Sequence, residues 1–315
     1  MVNIRLKPIG RAGAMNETML TTLYCVVDDF INALIATKDG QKILGFWKAK
    51  RGPQRQLGLS EVLTLNILRF YFHIFDLKAF VRLAESSYKA YFPGLPNYEN
   101  FLKAANRSFP FTVLFLRYLL ELNRRMSEGG VFFLDSTALS VCANWNISTH
   151  RVTKGFASRG KTSKGWFYGF KLHGACDSEG NLVSLRFTTG SEHDSREAEP
   201  LTDGLSGLFV GDAGYLLRQE VFLRLFEKHK RILAASRKNM KRLMTKDQGV
   251  LLRKRSIIET VWDVLKERHG LVFHLARNTT GLFRHYCYSL LSNMLQPVLY
   301  SGTLMLPDLP PGFLS

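Results

Sequence analysis

Apolar positions recur at helical spacing almost throughout residues 16–126, with breaks at "RGPQRQLGLS" and "FPGLPNYEN". This half reads as all-helical. Ser60 is placed to N-cap "EVLTLNILRFYFHIF", and "DLKAFVRLAESSYKAYF" follows after a tight connection. Such a helix pair suits docking on DNA and suits an ordinary bundle equally well. At "SEGG", residues 127–130, the pattern changes, and "VFFLDSTAL" opens a strand-like run. A domain boundary is expected there.

Downstream, "WFYGFKLHGAC" and "LVSLRFTTG" flank the turn "DSEGN" and predict a two-stranded hairpin. "HDSREAEPLTDGL" predicts a helix, "GLFVGDAGYL" a buried strand ending at Asp212, "LRQEVFLRLFEKH" a helix and "RILAAS" a short strand. The basic "RKNMKR" then leads to a last helix, "LRKRSIIETVWDVLKERHG" at 252–270. That order implies a mixed sheet with helices on its faces. The expected organisation is a helical domain over 1–128, an α/β domain over 129–300 and a tail, "SGTLMLPDLPPGFLS" at 301–315, with no assigned role.

At 315 residues the chain is long for one core and suits two domains, and 46% hydrophobic content is enough to fill them. Its formal net charge of +17 attracts polyanions, nucleic acid before an anionic membrane. The apolar stretches "FTVLFLRYLLEL" and "YSLLSNMLQPVLYSGTLML" are interrupted by Arg117 or by Asn293, Gln296 and Pro297, so they read as buried helices and not as spans. "MVNIRLKPIGRAGA" lacks the apolar core of a secretory signal, and Met15 is an alternative start. Cys25, Cys142, Cys176 and Cys287 lie far apart without zinc spacing and are expected as reduced core residues of a cytoplasmic protein.

Two acids stand out by position. Asp135 ends the apolar run "VFFL" and Asp212 ends "LFV", and strand ends in α/β sheets are where ligand sites collect. Asp212, before "AGY", reads equally as a helix cap. On the last helix, at about 100° per residue, Arg255, Glu259, Trp262 and Lys266 share one side, while Ile257, Ile258, Val261, Val264 and Leu265 share the other. Arg255 and Glu259 also satisfy the spacing of a simple i, i+4 ion pair. Three separate elements each delivering one carboxylate is a stronger pattern than any one of them.

"LRKRSIIETVWDVLK" resembles the Y-x2-R-x3-E-x6-K signature of bacterial insertion-sequence transposases, with Arg255, Glu259 and Lys266 in register and Leu252 where the signature has tyrosine. "FFLDST", "GWFYGFKLH" and "GDAGYL" are similar to the matching stretches of the insertion sequence 982 group, over about residues 55 to 295. The resemblance implies a DDE transposase with a ribonuclease H-like catalytic domain preceded by an all-α domain, and Asp135, Asp212 and Glu259 as its triad. Such a triad would hold two Mg²⁺ or Mn²⁺ ions, since in-line phosphodiester displacement needs one oxygen activated and another stabilised. Water would free a 3′-hydroxyl at the end of the element, and that hydroxyl would then attack target DNA. Arg255 and Lys266 would hold phosphates, and Trp262 is a candidate for stacking on an unpaired base, with a core position as its alternative.

Other cations extend this picture. "THRVTKGFASRGKTSKG" carries Arg151, Lys154, Arg159, Lys161 and Lys164 in what reads as a mobile loop able to clamp DNA, or as plain solvated surface. Arg237, Lys238, Lys241 and Arg242 form a second patch, and Lys48, Lys50, Arg51 and Arg55 a third. His173 reads as a core or supporting group, and Asp194 with Glu197 as a capping box. The implied partners are double-stranded DNA, as terminal inverted repeats and as target, and a second copy of the chain, with no membrane. The implied location is the bacterial cytoplasm, at the nucleoid. An inactive or domesticated DNA-binding relative and a cellular nuclease are the competing readings, and a helix-turn-helix regulator would need no second domain.

Overall fold

A computed structural model describes residues 17–47, 56–127, 130–236, 240, 243–301 and 307–314. In chain order the first elements are α1 (Glu17–Ile35), α2 (Lys38–Trp47), α3 (Leu59–Tyr71), α4 (Leu77–Ser87), α5 (Tyr98–Arg107) and α6 (Phe109–Met126). Then come β1 (Val131–Cys142), β2 (Ser158–Thr162), β3 (Gly165–Cys176), β4 (Leu182–Thr189), α7 (Asp194–Leu201), β5 (Gly207–Gly211), α8 (Gln219–Glu227) and β6 (Lys230–Ala234). Helices α9 (Lys246–Lys254), α10 (Ser256–Glu267), α11 (Thr279–Met294) and α12 (Gln296–Ser301) complete the series. The chain divides into two compact units, Met1–Phe109 with Leu295–Ser315, and Pro110–Met294. The switch from helix to strand falls between α6 and β1, whereas the compact units divide at the start of α6.

In the first unit α1 buries Leu20, Leu23, Val27, Phe30 and Leu34 at helical spacing and packs with α2, α3 and α12. It is the one helix among the described residues long and apolar enough to cross a membrane. Helix α3 is buried on nearly every side, from Leu59 to Phe70, so of the expected α3–α4 pair only α4 offers exposed cations, Lys78 and Arg82. Ser60 does not cap α3. It lies inside the first turn and donates to Asp28 (2.6 Å), while Gly58 takes the cap position and its N–H is accepted by Glu61 (2.6 Å). Asp76 caps α4 through Ala79 N–H (2.6 Å).

The second unit is built on a six-stranded mixed sheet. β1 pairs antiparallel with β3 on one side and parallel with β5 on the other, and β6 continues parallel to β5. The far edge of β3 is shared by β2 along Gly165–Gly169 and by β4 along Phe170–Cys176, which is the expected hairpin. Phe132 and Leu134, on one face of β1, join Ala175, Val183, Ala198, Leu201 and Tyr215 in a buried cluster. Helix α6 is tied to β4, where Asn123 and Arg124 donate to the carbonyls of Leu182 (2.8 Å) and Val183 (2.7 Å).

Three expectations change. Part of the loop expected over 149–165 is strand β2, because Ser158–Thr162 has its backbone partners in β3 and Gly160 sits so close to Gly190 that a Cβ would meet its carbonyl oxygen at 2.1 Å. The helix at 252–270 is two helices meeting at Arg255. Cysteines 176 and 287 are buried, but Cys25 is exposed and Cys142 half-buried; all four are free thiols. The patches at 48–55 and at Arg237, Lys238, Lys241 and Arg242 lie outside the described residues.

The break at Arg255 frees α10 to turn its own stripe inward. Ile258, Trp262 and Leu265, at i, i+4 and i+7, are buried, and Trp262 is only 2% exposed. Its indole lies on Gly174, where a Cβ would come within 2.5 Å of the ring. Trp262 is therefore a core residue, with no ring face free for a base. Gly174→Ala should cost on the order of 2 kcal/mol by overpacking, and the same substitution in a Trp262→Phe background should cost clearly less, since the atoms it would strike are gone. Chemical denaturation of the four proteins in this cycle checks it: a coupling of about 1 kcal/mol or more is expected, and additivity would place the two residues out of contact.

Candidate active site

Asp135 does not end its strand, as the apolar run suggested. β1 continues to Cys142, and Asp135 lies opposite Gly174 of β3. What ends near it is the parallel pairing with β5, whose last matched pair is Phe133 with Val210. Two residues further on each strand come Asp135 and Asp212, so the sheet's own register carries both carboxylates to the point where β1 and β5 part. Asp212 leaves β5 as the cap of a short 3-10 turn, Ala213–Tyr215, accepting from Gly214 N–H at 2.8 Å. The cap and the site readings of Asp212 are thus compatible. Gly211 is required before it, since a Cβ there would stand 2.7 Å from the Tyr215 ring.

Glu259 arrives from α10, one turn before Trp262. Arg255, at the α9–α10 junction, spans two of the acids: one guanidinium nitrogen is 3.4 Å from Asp135 Oδ1, and another bonds Glu259 Oε1. The side chains of Arg255 and Asp135 are each 19% exposed, while Glu259 is 50% exposed. A charge-assisted pair in so dry a setting is stronger than one at the surface, and Arg255 holds Glu259 as a second partner. Burial pushes the Asp135 carboxyl up and Arg255 pulls it down; Asp212 and Glu259 push it up again, to about 7. The three acids therefore share one electrostatic neighbourhood. Burial also lowers the basicity of Lys266, with Asp263 opposing and Lys164 and Asp135 within range, so Lys266 and Lys164 face the same region.

Arg151, Lys154, Arg159, Lys161 and Lys164 are all exposed around β2. The sequence reading missed what Asp194 does. It opens α7 without capping it; its carboxylate accepts from Ser136 (2.8 Å) and Lys171 (3.3 Å) and stands 3.4 Å from His173 Nδ1. A Cβ on Gly214 would touch both Asp194 and Asp212. His173 is fully buried and bonded to Thr188 (2.8 Å), and burial lowers its basicity. Glu197, the other half of the expected capping box, pairs with Arg186 at 2.7 Å. The usable signal was the alternation of Lys171 and His173 on one face of β3, with Ser136 paired directly to His173. Asp194 thus buttresses the residue next to Asp135 from the sheet face opposite α10.

Hard carboxylate oxygens from three elements suit a divalent ion with oxygen preference. Among the described residues no three His, Cys, Asp or Glu side chains are grouped tightly enough to hold an ion as they stand. Glu259 is turned to Arg255, whose positive charge takes the place between the acids.

A carboxyl held at about 7 in the folded chain and near 3.8 in the unfolded one stabilises the fold fully below about pH 4, and that stability is lost as pH rises through 7, up to ~4 kcal/mol. In EDTA, Asp135→Asn should therefore melt higher than the unsubstituted protein at pH 8, with the gain shrinking steadily towards pH 4.5. Thermal unfolding across that range checks it, and a difference independent of pH would show that Asp135 ionises freely.

No curated protein and no solved structure gives a match to this chain. Residues 125–278 match the family model described as Transposase DDE domain, a span that holds Asp135, Asp212, Glu259, Arg255 and Lys266, and this match supports a DDE transposase family for the chain.

Proposed function

We propose that the protein is a DNA transposase of the insertion sequence 982 group, which cuts at the ends of its element and joins the freed 3′-hydroxyl to target DNA. The observation that carries this reading is Arg255 lying between Asp135 and Glu259 beside Asp212, three acids from three elements in one field. The strand order supports a ribonuclease H-like catalytic domain: three antiparallel strands, β4, β3 and β1, continue into the parallel β5 and β6. Asp135, Asp212 and Glu259 would hold two Mg²⁺ or Mn²⁺ ions, which when bound activate the attacking oxygen and stabilise the leaving one.

The chain's own residues do the rest. Asp135 sits in mid-strand and Asp212 on a capped turn, so both are fixed in place, whereas Glu259 is exposed and free to swing from Arg255. Released from Glu259, Arg255 offers its guanidinium to a phosphate, and Lys266 adds a second cation on the same helix. The exposed cations of β2 and its approaches bind the backbone, which gives the affinity its salt dependence. The helical unit, with Lys78 and Arg82 on α4, binds the terminal inverted repeats, and two copies act together on paired ends. The cytoplasm, at the nucleoid, is the matching location.

Purified protein incubated with labelled DNA bearing the flanking repeats of its gene should give nicked and joined products with Mg²⁺ and none with EDTA. Glu259→Gln should abolish both products, by 10²-fold or more, while leaving DNA affinity within about twofold. Cutting without joining would identify a nuclease, binding without products an inactive relative, and retained cutting by the variant would sink the triad.

A further inference from the structure

Around β2 the chain exposes three large aromatic side chains, Trp145 (83%), Phe156 (65%) and Trp166 (61%). Clustered exposed aromatics on a protein surface usually mark a binding site. They lie in a segment of one sign: from Ser136 to Cys176 the sequence has no Asp or Glu, and it carries Arg151, Lys154, Arg159, Lys161, Lys164 and Lys171. Lys161 and Trp166 are cross-strand partners, and the lysine ammonium stands 5.6 Å over the indole centroid. Asn144 Nδ2 donates to the Trp166 carbonyl at 2.8 Å, which draws the Asn144–Asn146 turn, and Trp145 with it, to the start of β3. A nonpolar protein partner would meet five exposed cations here, whereas a nucleic acid strand would find both a place for its phosphates and flat rings for its bases.

We infer that Trp145 and Trp166 form a stacking platform for unpaired bases of the DNA, with the surrounding cations on its phosphates; the inference rests on the transposase reading. Sequence-tolerant stacking on aromatic rings inside a basic groove is how single strands are commonly held. The distance is informative. β3 runs from Trp166 to Gly174, the partner of Asp135, which is about 26 Å of strand at roughly 3.3 Å per residue. Lys164 at the hairpin tip lies within electrostatic range of Lys266 on α10, and Lys266 within range of Asp135, so two cations stand between platform and acids. The stacked bases are therefore several nucleotides from the phosphate that is cut. The platform holds the strand that has opened at the end of the element, and does not hold the scissile phosphate itself.

The test measures affinity in EDTA with the full chain, using a labelled blunt duplex and the same duplex carrying a tail of about eight unpaired thymidines, a length within the usual single-strand site size. The unsubstituted protein should prefer the tailed DNA and lose tryptophan fluorescence on binding it. Trp166→Ala and Trp145→Ala should each weaken tailed binding on the order of tenfold and leave blunt binding unchanged, and Trp166→Phe should restore most of the loss. Equal affinity of the unsubstituted protein for both DNAs overturns the inference, as does an equal loss on both by the alanine variants. A change in oligomeric size with no change in DNA affinity also overturns it and assigns the rings to contact between copies. Because no cutting is needed, failure here leaves the Glu259→Gln result standing, and failure of the triad leaves this binding result standing.

Discussion

The indole of Trp262 resting on Gly174 decides where α10 crosses the sheet, and the arrangement of the acids follows from it. Gly174 is the cross-strand partner of Asp135, so a helix seated there brings its preceding turn, with Glu259, over the same row of the sheet. Only a glycine leaves room for the ring, and only a large flat ring fills the room. The contact is entirely apolar, yet it fixes where the backbone carrying Glu259 stands relative to Asp135, because a packed core has few alternative arrangements.

Gathering three acids in one partly buried place is unfavourable without a compensating cation. Arg255 meets that need with two of its nitrogens, and it does so from the one residue where α9 and α10 meet. The residual strain is seen in Asp135, which burial and its acidic neighbours hold well above the usual carboxylate range in spite of the arginine. A divalent cation would relieve the same repulsion more fully, and an arginine displaced by it would be left facing outward beside Lys266. The arginine pair and a bound cation would then be two answers to one electrostatic frustration. On the opposite face Asp194 holds Ser136 and Lys171, so the strand segment carrying Asp135 is fixed from both sides.

Much of this was legible along the chain. The hairpin of β3 and β4 and the order of α7, β5, α8 and β6 follow from local periodicity and turn residues, and the spacing of Glu259 and Lys266 on one helix was legible too. Other features were not. The strand β2 hides in a Gly- and Ser-rich basic stretch whose composition reads as loop; its pairing comes from β3 and not from its own propensity. A cap at Ser60 was chemically reasonable, and lost to Gly58 because Ser60 has a distant partner in Asp28. Asp194 looked like a local cap for the same reason in reverse, its partners being far away in sequence.

The sequence by itself determined the strong basic field, the change from a helical to a mixed half, and a candidate acid on each of three elements, since charge, period and spacing are local properties. Only the tertiary structure decided that Trp262 is core while Trp145 and Trp166 stand in solvent. It also decided that Arg255 breaks a helix and bridges two acids, and that Asp135 lies in mid-strand where the parallel pairing ends. Those outcomes depend on which surfaces meet across long stretches of intervening chain, as between Trp262 and Gly174 or Arg255 and Asp135, and burial, unlike periodicity, is a property of the partner as much as of the residue.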